Sequence, residues 1–305
     1  MLKTRILSGL AMLPALFFVY WGGIPLYILC FAISVVALWE FTSVFKKASD
    51  APEFGRVPQP SFVIGVIGAV SFYGITLFIH VSFWAFWVFL VTVLSLLLLF
   101  RGSSGLSDAF ITLAANIYIV FFLGNVVMLG TYFTFVKMES VWDFQGFKNP
   151  VWLALLAALG SDIFAYFTGV LIGKHKLCPK LSPKKTVEGF IGGIIGSMLL
   201  CCVFGSLALG DFFGDTLLIP LPGGYNLSGH LVLIGALGGA ISVVGDLTAS
   251  AIKRKLGAKD YGKLIPGHGG ILDRIDSVLF TVPFLFFYLQ ITDFIYNVIN
   301  AGAAA

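Results

Sequence analysis

Long apolar runs, broken at intervals by short clusters of charge, Gly and Pro, dominate the pattern of this chain. Nine of them read as membrane-crossing helices, over about 5–22, 24–45, 61–79, 83–100, 107–135, 151–172, 187–209, 231–252 and 276–298. Each is near or above the roughly 20 residues that a helix needs to cross the hydrocarbon, and the fifth is long enough to tilt or protrude. The runs are continuous and do not alternate apolar with polar positions, which selects helices over barrel strands. The pattern predicts an all-α polytopic membrane protein with about nine transmembrane helices.

Composition agrees. A chain of 305 residues that is 58% hydrophobic and 11% charged, with mean hydropathy +0.98, has too little polar surface to cover a soluble globule. Charge then orients the bundle. With nine crossings, 17 of the 19 Lys and Arg fall in alternate segments, and the opposite segments hold only Lys137 and Lys148. This bias places the N-terminus inside, in the cytoplasm, and the C-terminus outside, with the loop 210–230 also outside. The expected division is an N-terminal helical part over 1–149 with an inside loop at 46–60, and a C-terminal part over 150–298 with inside loops at 173–186 and 253–275. A tail at 299–305 follows. Lys3 and Arg5 precede an apolar core that runs into Tyr20-Trp21-Gly22 without a small-x-small cleavage site, so a retained first helix is expected, not a signal peptide. Cys30, Cys201 and Cys202 lie in apolar runs and Cys178 in an inside loop, with neither metal-ligand spacing nor a disulfide framework.

Acids inside apolar runs narrow the function. Each costs roughly 2.5–3.5 kcal/mol or more at mid-depth, and three stand out. Asp246 stands seven residues before Lys253, about 10 Å below the basic edge, and Asp162 twelve before Lys174, about 18 Å below it. Glu40 is six residues before Lys46. Each is either an acid paired with a group on another helix or part of a site. Asp246 is set apart by Gly235, Gly238, Gly239 and Gly245, which let a backbone or a ligand come close. Asp273 and Asp276 enter the last run three residues apart, on one face if that turn is helical. Asp246 and Asp273 are expected to converge, and hard carboxylates with open positions suit Mg²⁺, with Asp276 and Asp162 as further candidate ligands.

Two basic loops complement the acids. Between Ser250 and Asp276 stand Lys253, Arg254, Lys255, Lys259, Lys263 and Arg274, and Pro266-Gly267-His268-Gly269-Gly270 permits close backbone approach to a ligand. His268 is placed to contact a phosphate or orient an aspartate, or it is a structural turn residue. In the loop from Gly173, Ser182-Pro183 reads as an N-cap followed by proline at the first helical position. Lys184 and Lys185 then fall in the first turn, where cations oppose the helix dipole. That arrangement makes sense around an anion held by the Ser182 and Thr186 hydroxyls, free amides and both ammonium groups. Positive-inside topology alone is the other explanation. Glu188 reads as a cap or ion-pair partner, and His80, His175 and His230 as incidental.

The residues Ser250, Lys253-Arg254, Lys259-Asp260, Gly262, Pro266, His268-Gly269-Gly270, Asp273-Arg274 and Asp276 resemble the signature of phosphatidate cytidylyltransferases, without departure. Ser161-Asp162, Ser182-Pro183-Lys184-Lys185-Thr186 and Gly245-Asp246 resemble further family elements, so the resemblance covers roughly 150–280. Before that stretch, only hydropathy and Trp39-Glu40 are similar to the family. The resemblance implies an enzyme, a bacterial inner-membrane homodimer with its site facing the cytoplasm. The implied reaction joins CTP and phosphatidate into CDP-diacylglycerol and pyrophosphate with Mg²⁺, with no nucleic-acid partner. A phosphatidate oxygen is already anionic, so no protein nucleophile is needed and the protein positions and stabilises charge. Asp246, Asp273, Lys185 and His268 are the candidate catalytic residues. Ser182, Lys184, Lys185, Thr186, Lys253, Arg254, Lys259 and Arg274 are the candidates for the triphosphate and the lipid phosphate. The rival readings are a CTP-dependent lipid kinase of the polyprenol type, and an ion-coupled transporter in which Asp162 and Asp246 form a relay.

Overall fold

In a computed structural model of the chain, residues 14–51, 55–78, 84–101, 105–135, 150–208, 220–221 and 225–303 are described. A helix over 14–21 (α1) meets α2 (Gly23–Ser49) at Gly22 and Gly23, whose φ angles of 67° and 56° break the run where the sequence breaks it. There follow α3 (Phe62–Phe78), α4 (Trp84–Leu96) with a 3₁₀ turn (Leu97–Arg101), and a long span made of α5 (Gly105–Ala115), a π-helical turn (Asn116–Phe121) and α6 (Phe122–Phe135). The remaining long helices are α7 (Val151–Ile172), α8 (Val187–Ala208), α9 (Leu227–Lys255) and α11 (Val278–Ala303), with a short α10 (Leu272–Ile275) before the last. Two small hairpins interrupt them, β1 (Lys176–Cys178) with β2 (Ser182–Thr186), and β3 (Pro220–Leu221) with β4 (Tyr225–Asn226).

Among the described residues, six helices are long and apolar enough to cross a membrane, and two shorter apolar ones stand at Phe62–Leu77 and Ala85–Phe100. They fall on eight of the expected runs. The run 5–22, the loop 210–230 and the charges Lys3, Arg5, Lys137 and Lys148 lie partly or wholly outside the described residues.

The core is largely apolar, but polar side chains are buried within it and many large apolar side chains face outward. Ser34, Asn116, Asn125, Ser161, Ser197, Ser242 and Thr281 have no exposed surface, whereas Phe100 is 88% and Leu171 78% exposed. Water would penalise that arrangement and hydrocarbon favours it.

The chain divides into two compact units that interleave in sequence. One is Met1–Thr131 with Thr248–Leu279, the other Tyr132–Leu247 with Phe280–Ala305. The basic loop 253–275 falls in the same unit as the N-terminal helices.

In the second unit α7 and α8 pack antiparallel along a seam of small residues. A β-carbon at Gly160 would meet Ser197, one at Gly193 would meet Ser161, and one at Gly189 would meet Ala165. Glycine at these positions lets the backbones touch, where in lipid close packing and polar contacts replace hydrophobic drive. The α9 glycines serve the same end. Gly235 lies against Met198 and Gly239 against Ser197. The Ser161 hydroxyl donates to the Gly239 carbonyl (3.0 Å) and that of Ser197 to Ala157 (2.7 Å).

Candidate active site

Each unit carries its own polar cavity. In the second unit the hairpin between α7 and α8 builds one. Lys176 pairs with Thr186 and Cys178 with Ser182, and the Val187 N–H donates to the His175 carbonyl (2.9 Å). Ser182 and Pro183 therefore lie in a strand and do not start α8. A residue before proline is pushed toward extended backbone, and here a partner strand is present to receive it. The N-cap is Thr186. Its Oγ1 accepts the Gly189 N–H at 3.1 Å, and the position is buried. Lys184 and Lys185 thus sit on the strand leading into the helix and not in its first turn.

Glu188 ties the hairpin back. It accepts the backbone N–H groups of Lys174 (3.0 Å) and His175 (3.2 Å) and contacts His175 Nδ1 at 2.6 Å, as a cap and ion-pair partner should.

Asp162, Tyr166, Lys176, Ser182, Lys184, Lys185 and Thr186 line a cavity of about 490 Å³, with Val170, Leu177, Phe190 and Val243 on its apolar wall. The Lys185 ammonium lies 2.5 Å from Asp246 Oδ2, both side chains about one quarter exposed. The sequence candidates Asp162, Ser182, Lys184, Lys185 and Thr186 are brought together here, with Asp246 beside them. Lys176 and Tyr166 join them without having been singled out. For Tyr166 a signal was present, since it stands one turn after Asp162 on the same helix, whereas Lys176 reaches the cavity through the β1–β2 pairing, which no short window of sequence shows.

In the first unit the chain leaves α9 through a Schellman cap. Gly257 has φ 65°, its N–H donates to Arg254 and the Ala258 N–H reaches back to Lys253. The Arg254 guanidinium folds onto the Ala258 carbonyl at 3.1 Å. Ile265, Pro266, Gly267 and His268 then form a tight turn with proline second and glycine third. Gly267 has φ 80°, and the His268 N–H donates to Ile265 at 2.9 Å, which is the chemistry of a type II turn. Lys259, Asp260, Lys263, His268 and Arg274 line a second cavity of about 630 Å³ with this turn.

Beneath that cavity lies a buried ion pair. Lys253 Nζ donates to Asp273 Oδ1 (2.6 Å), and Asp273 Oδ2 accepts the N–H groups of Tyr261 (2.8 Å) and Gly270 (2.9 Å). Both residues are less than 9% exposed. Tyr261 is walled in with them: its ring lies 5.3 Å below the Lys253 ammonium and faces Phe41. Burial pushes its hydroxyl well above the ordinary tyrosine range, so it stays neutral. Lys253, expected to contact substrate, is instead committed to Asp273. Asp276 is also buried, its Oδ1 accepting the Ser277 N–H at 2.8 Å.

The sequence leaves Glu40 as either an acid paired with a group on another helix or part of a site. The partners are the backbone N–H groups of Ile271 and Leu272, at 3.0 and 2.9 Å. No local pattern exposes a contact across 231 residues.

The described residues form a polytopic helical frame of apolar helices that carries two cation-lined cavities, each with a carboxylate in its lining. Residues 3–292 match the model of the cytidylyltransferase family, and the chain belongs to that family. It is 33% identical to the phosphatidate cytidylyltransferase of Bacillus subtilis over 95% of this chain and 98% of that protein. It is 31% identical to that of Haemophilus influenzae over 94% and 98%, and 32% to that of Staphylococcus aureus over 92% and 95%.

Proposed function

We propose that this chain is a CTP:phosphatidate cytidylyltransferase working at the cytoplasmic face of a bacterial inner membrane. A phosphatidate phosphate oxygen attacks the α-phosphorus of CTP, the α–β phosphoanhydride bond breaks, and CDP-diacylglycerol and pyrophosphate form. No proton need be taken from the nucleophile, so the chain's residues bind, orient and neutralise. The observation that carries this reading is the second unit's cavity. Three lysines and three hydroxyls lie beside an apolar wall, which suits a phosphate attached to something that belongs in lipid. Lys259, Lys263, His268 and Arg274 supply the cationic surface of the first unit for phosphate charge. The chain is proposed to work as a homodimer.

The donor set fits Mg²⁺ in one mode. Among the described residues, no group of three or more His, Cys, Asp or Glu stands ready to hold a metal. Mg²⁺ commonly takes one or two carboxylates and completes its shell from water and substrate phosphate. Asp246 offers such a carboxylate, now balanced by Lys185, with Asp162 lining the adjacent cavity. Asp273 has both oxygens engaged, Oδ1 by the Lys253 ammonium and Oδ2 by two backbone N–H groups, so it would hold an ion only with Lys253 displaced. Bound at Asp246, the ion would supply charge neutralisation at the pyrophosphate leaving group.

The test is Asp246→Asn in the full-length protein, which keeps shape and removes charge. Activity should fall by orders of magnitude at every Mg²⁺ concentration while membrane insertion and yield stay normal. Turnover near wild type would remove Asp246 from the site.

A further inference from the structure

The signature loop of the first unit is held by a residue far outside it. Glu40 is 1% exposed, and its Oε1 and Oε2 accept the N–H groups of Ile271 and Leu272. A β-carbon built on Gly262 or on Gly270 would come within 3.0 Å of that same carboxylate. The two glycines stand at opposite ends of the segment that carries Lys263, the Pro266–His268 turn and Gly269.

Conformation does not require glycine at either end. Gly267 and Gly269 have φ of 80° and 87°, where only glycine is comfortable, but Gly262 and Gly270 are absent from the positive-φ positions. Alanine fits their backbone. It does not fit their surroundings, because the Glu40 carboxylate fills the space.

We propose that Glu40 is a positioning residue for the reaction. Its carboxylate, delivered from α2, holds the loop 262–272 in the shape that lines the 630 Å³ cavity, and Gly262 and Gly270 are glycines because that carboxylate occupies the room a side chain would need. The physics is local. A buried carboxylate requires donors, the adjacent N–H groups of Ile271 and Leu272 supply them, and at Gly262 and Gly270 the loop passes so close to the acid that a β-carbon would meet it. Lys259, Lys263, His268 and Arg274 are presented to the cavity by the backbone so held. The inference rests on the cytidylyltransferase reading for its kinetic consequence, but not for the coupling itself.

The experiment is a double-mutant cycle in the detergent-solubilised full chain, with Glu40→Ala, Gly270→Ala and the double variant, repeated with Gly262→Ala. Thermal midpoint and CTP kinetics are both measured. Gly270→Ala alone should lower the midpoint and reduce kcat/KM about 10-fold or more, the loss residing mainly in KM. In the Glu40→Ala background the same glycine change should cost little, because the obstructing carboxylate is gone. Glu40→Gln, which keeps the bulk and one acceptor oxygen, should recover part of the KM lost in Glu40→Ala. Additive losses in the midpoint, or a Gly270→Ala protein as stable as wild type, would overturn the coupling. A kcat lowered only with the folded fraction and an unchanged KM would make Glu40 a brace and overturn its positioning role. A wild-type protein inactive with CTP and phosphatidate would instead fail the functional reading, and the thermal cycle would still decide the coupling.

Discussion

Two lysine–aspartate pairs of almost equal length have opposite consequences. Lys185 and Asp246 are each about one quarter exposed, whereas Lys253 and Asp273 are less than one tenth exposed. Removing one partner of a buried pair leaves an uncompensated charge and costs about 3–5 kcal/mol, while a fully solvent-exposed pair is worth roughly 0–1 kcal/mol to stability, and the quarter-exposed Lys185–Asp246 pair lies nearer that end than Lys253–Asp273 does. Lys253→Ala is therefore expected to lower the thermal midpoint sharply and, with it, the yield of folded protein. Lys185→Ala should leave the midpoint nearly unchanged and lower kcat/KM by about 10- to 150-fold, the effect of losing a charge-assisted phosphate contact. Lys180→Ala is the control, being exposed and outside the cavity. Equal kinetic losses in Lys185→Ala and Lys180→Ala would mean that this loop is a topology signal only. The sequence carried the identity of these lysines but not their burial. Lys253 and Lys185 look alike as letters, and only the folded loop shows that one faces Asp273 from inside.

At the scale of elements, the membrane helices were legible and the start of α8 was not. Continuous apolar runs locate a span because hydrocarbon leaves few alternatives. The Ser182-Pro183 pair satisfies the rules for a helix start, yet the same proline favours an extended residue before it, and the β1 strand decided between them. Pairing of that kind is non-local and leaves no trace within a short window of sequence. The cap moves four residues on, to Thr186, so Thr186→Ala should lower stability by about 0.5–2 kcal/mol. Ser182→Ala should leave stability within error, whatever it does to substrate binding. Thermal unfolding of both variants in detergent checks this. A destabilised Ser182→Ala beside an unaffected Thr186→Ala would restore the earlier helix start. The α7–α8 seam was legible only in part. The glycines of α9 drew attention as room for a backbone or a ligand, and the structure assigns that room to Met198 and Ser197.

For the whole molecule, the apolar exterior follows from the 58% hydrophobic composition once lipid is the solvent. The interleaving of the two units in sequence does not follow from composition, and Glu40 accepting from Ile271 and Leu272 is one contact that crosses it within the first unit. The charge bias of the loops predicts that Cys178 faces the cytoplasm. An impermeant maleimide should miss Cys178 in intact spheroplasts and label it after permeabilisation. Labelling from outside would invert the orientation.

The central claim is that the chain transfers the cytidylyl group of CTP to phosphatidate. The fate of phosphorus tests it most directly. Purified protein in mixed micelles is given phosphatidate and CTP labelled in either the α or the γ phosphate. The account predicts that α label enters the lipid product one-for-one with pyrophosphate released, and that γ label leaves only as pyrophosphate. Entry of γ label into lipid with release of CDP would contradict it and make the protein a CTP-dependent lipid kinase.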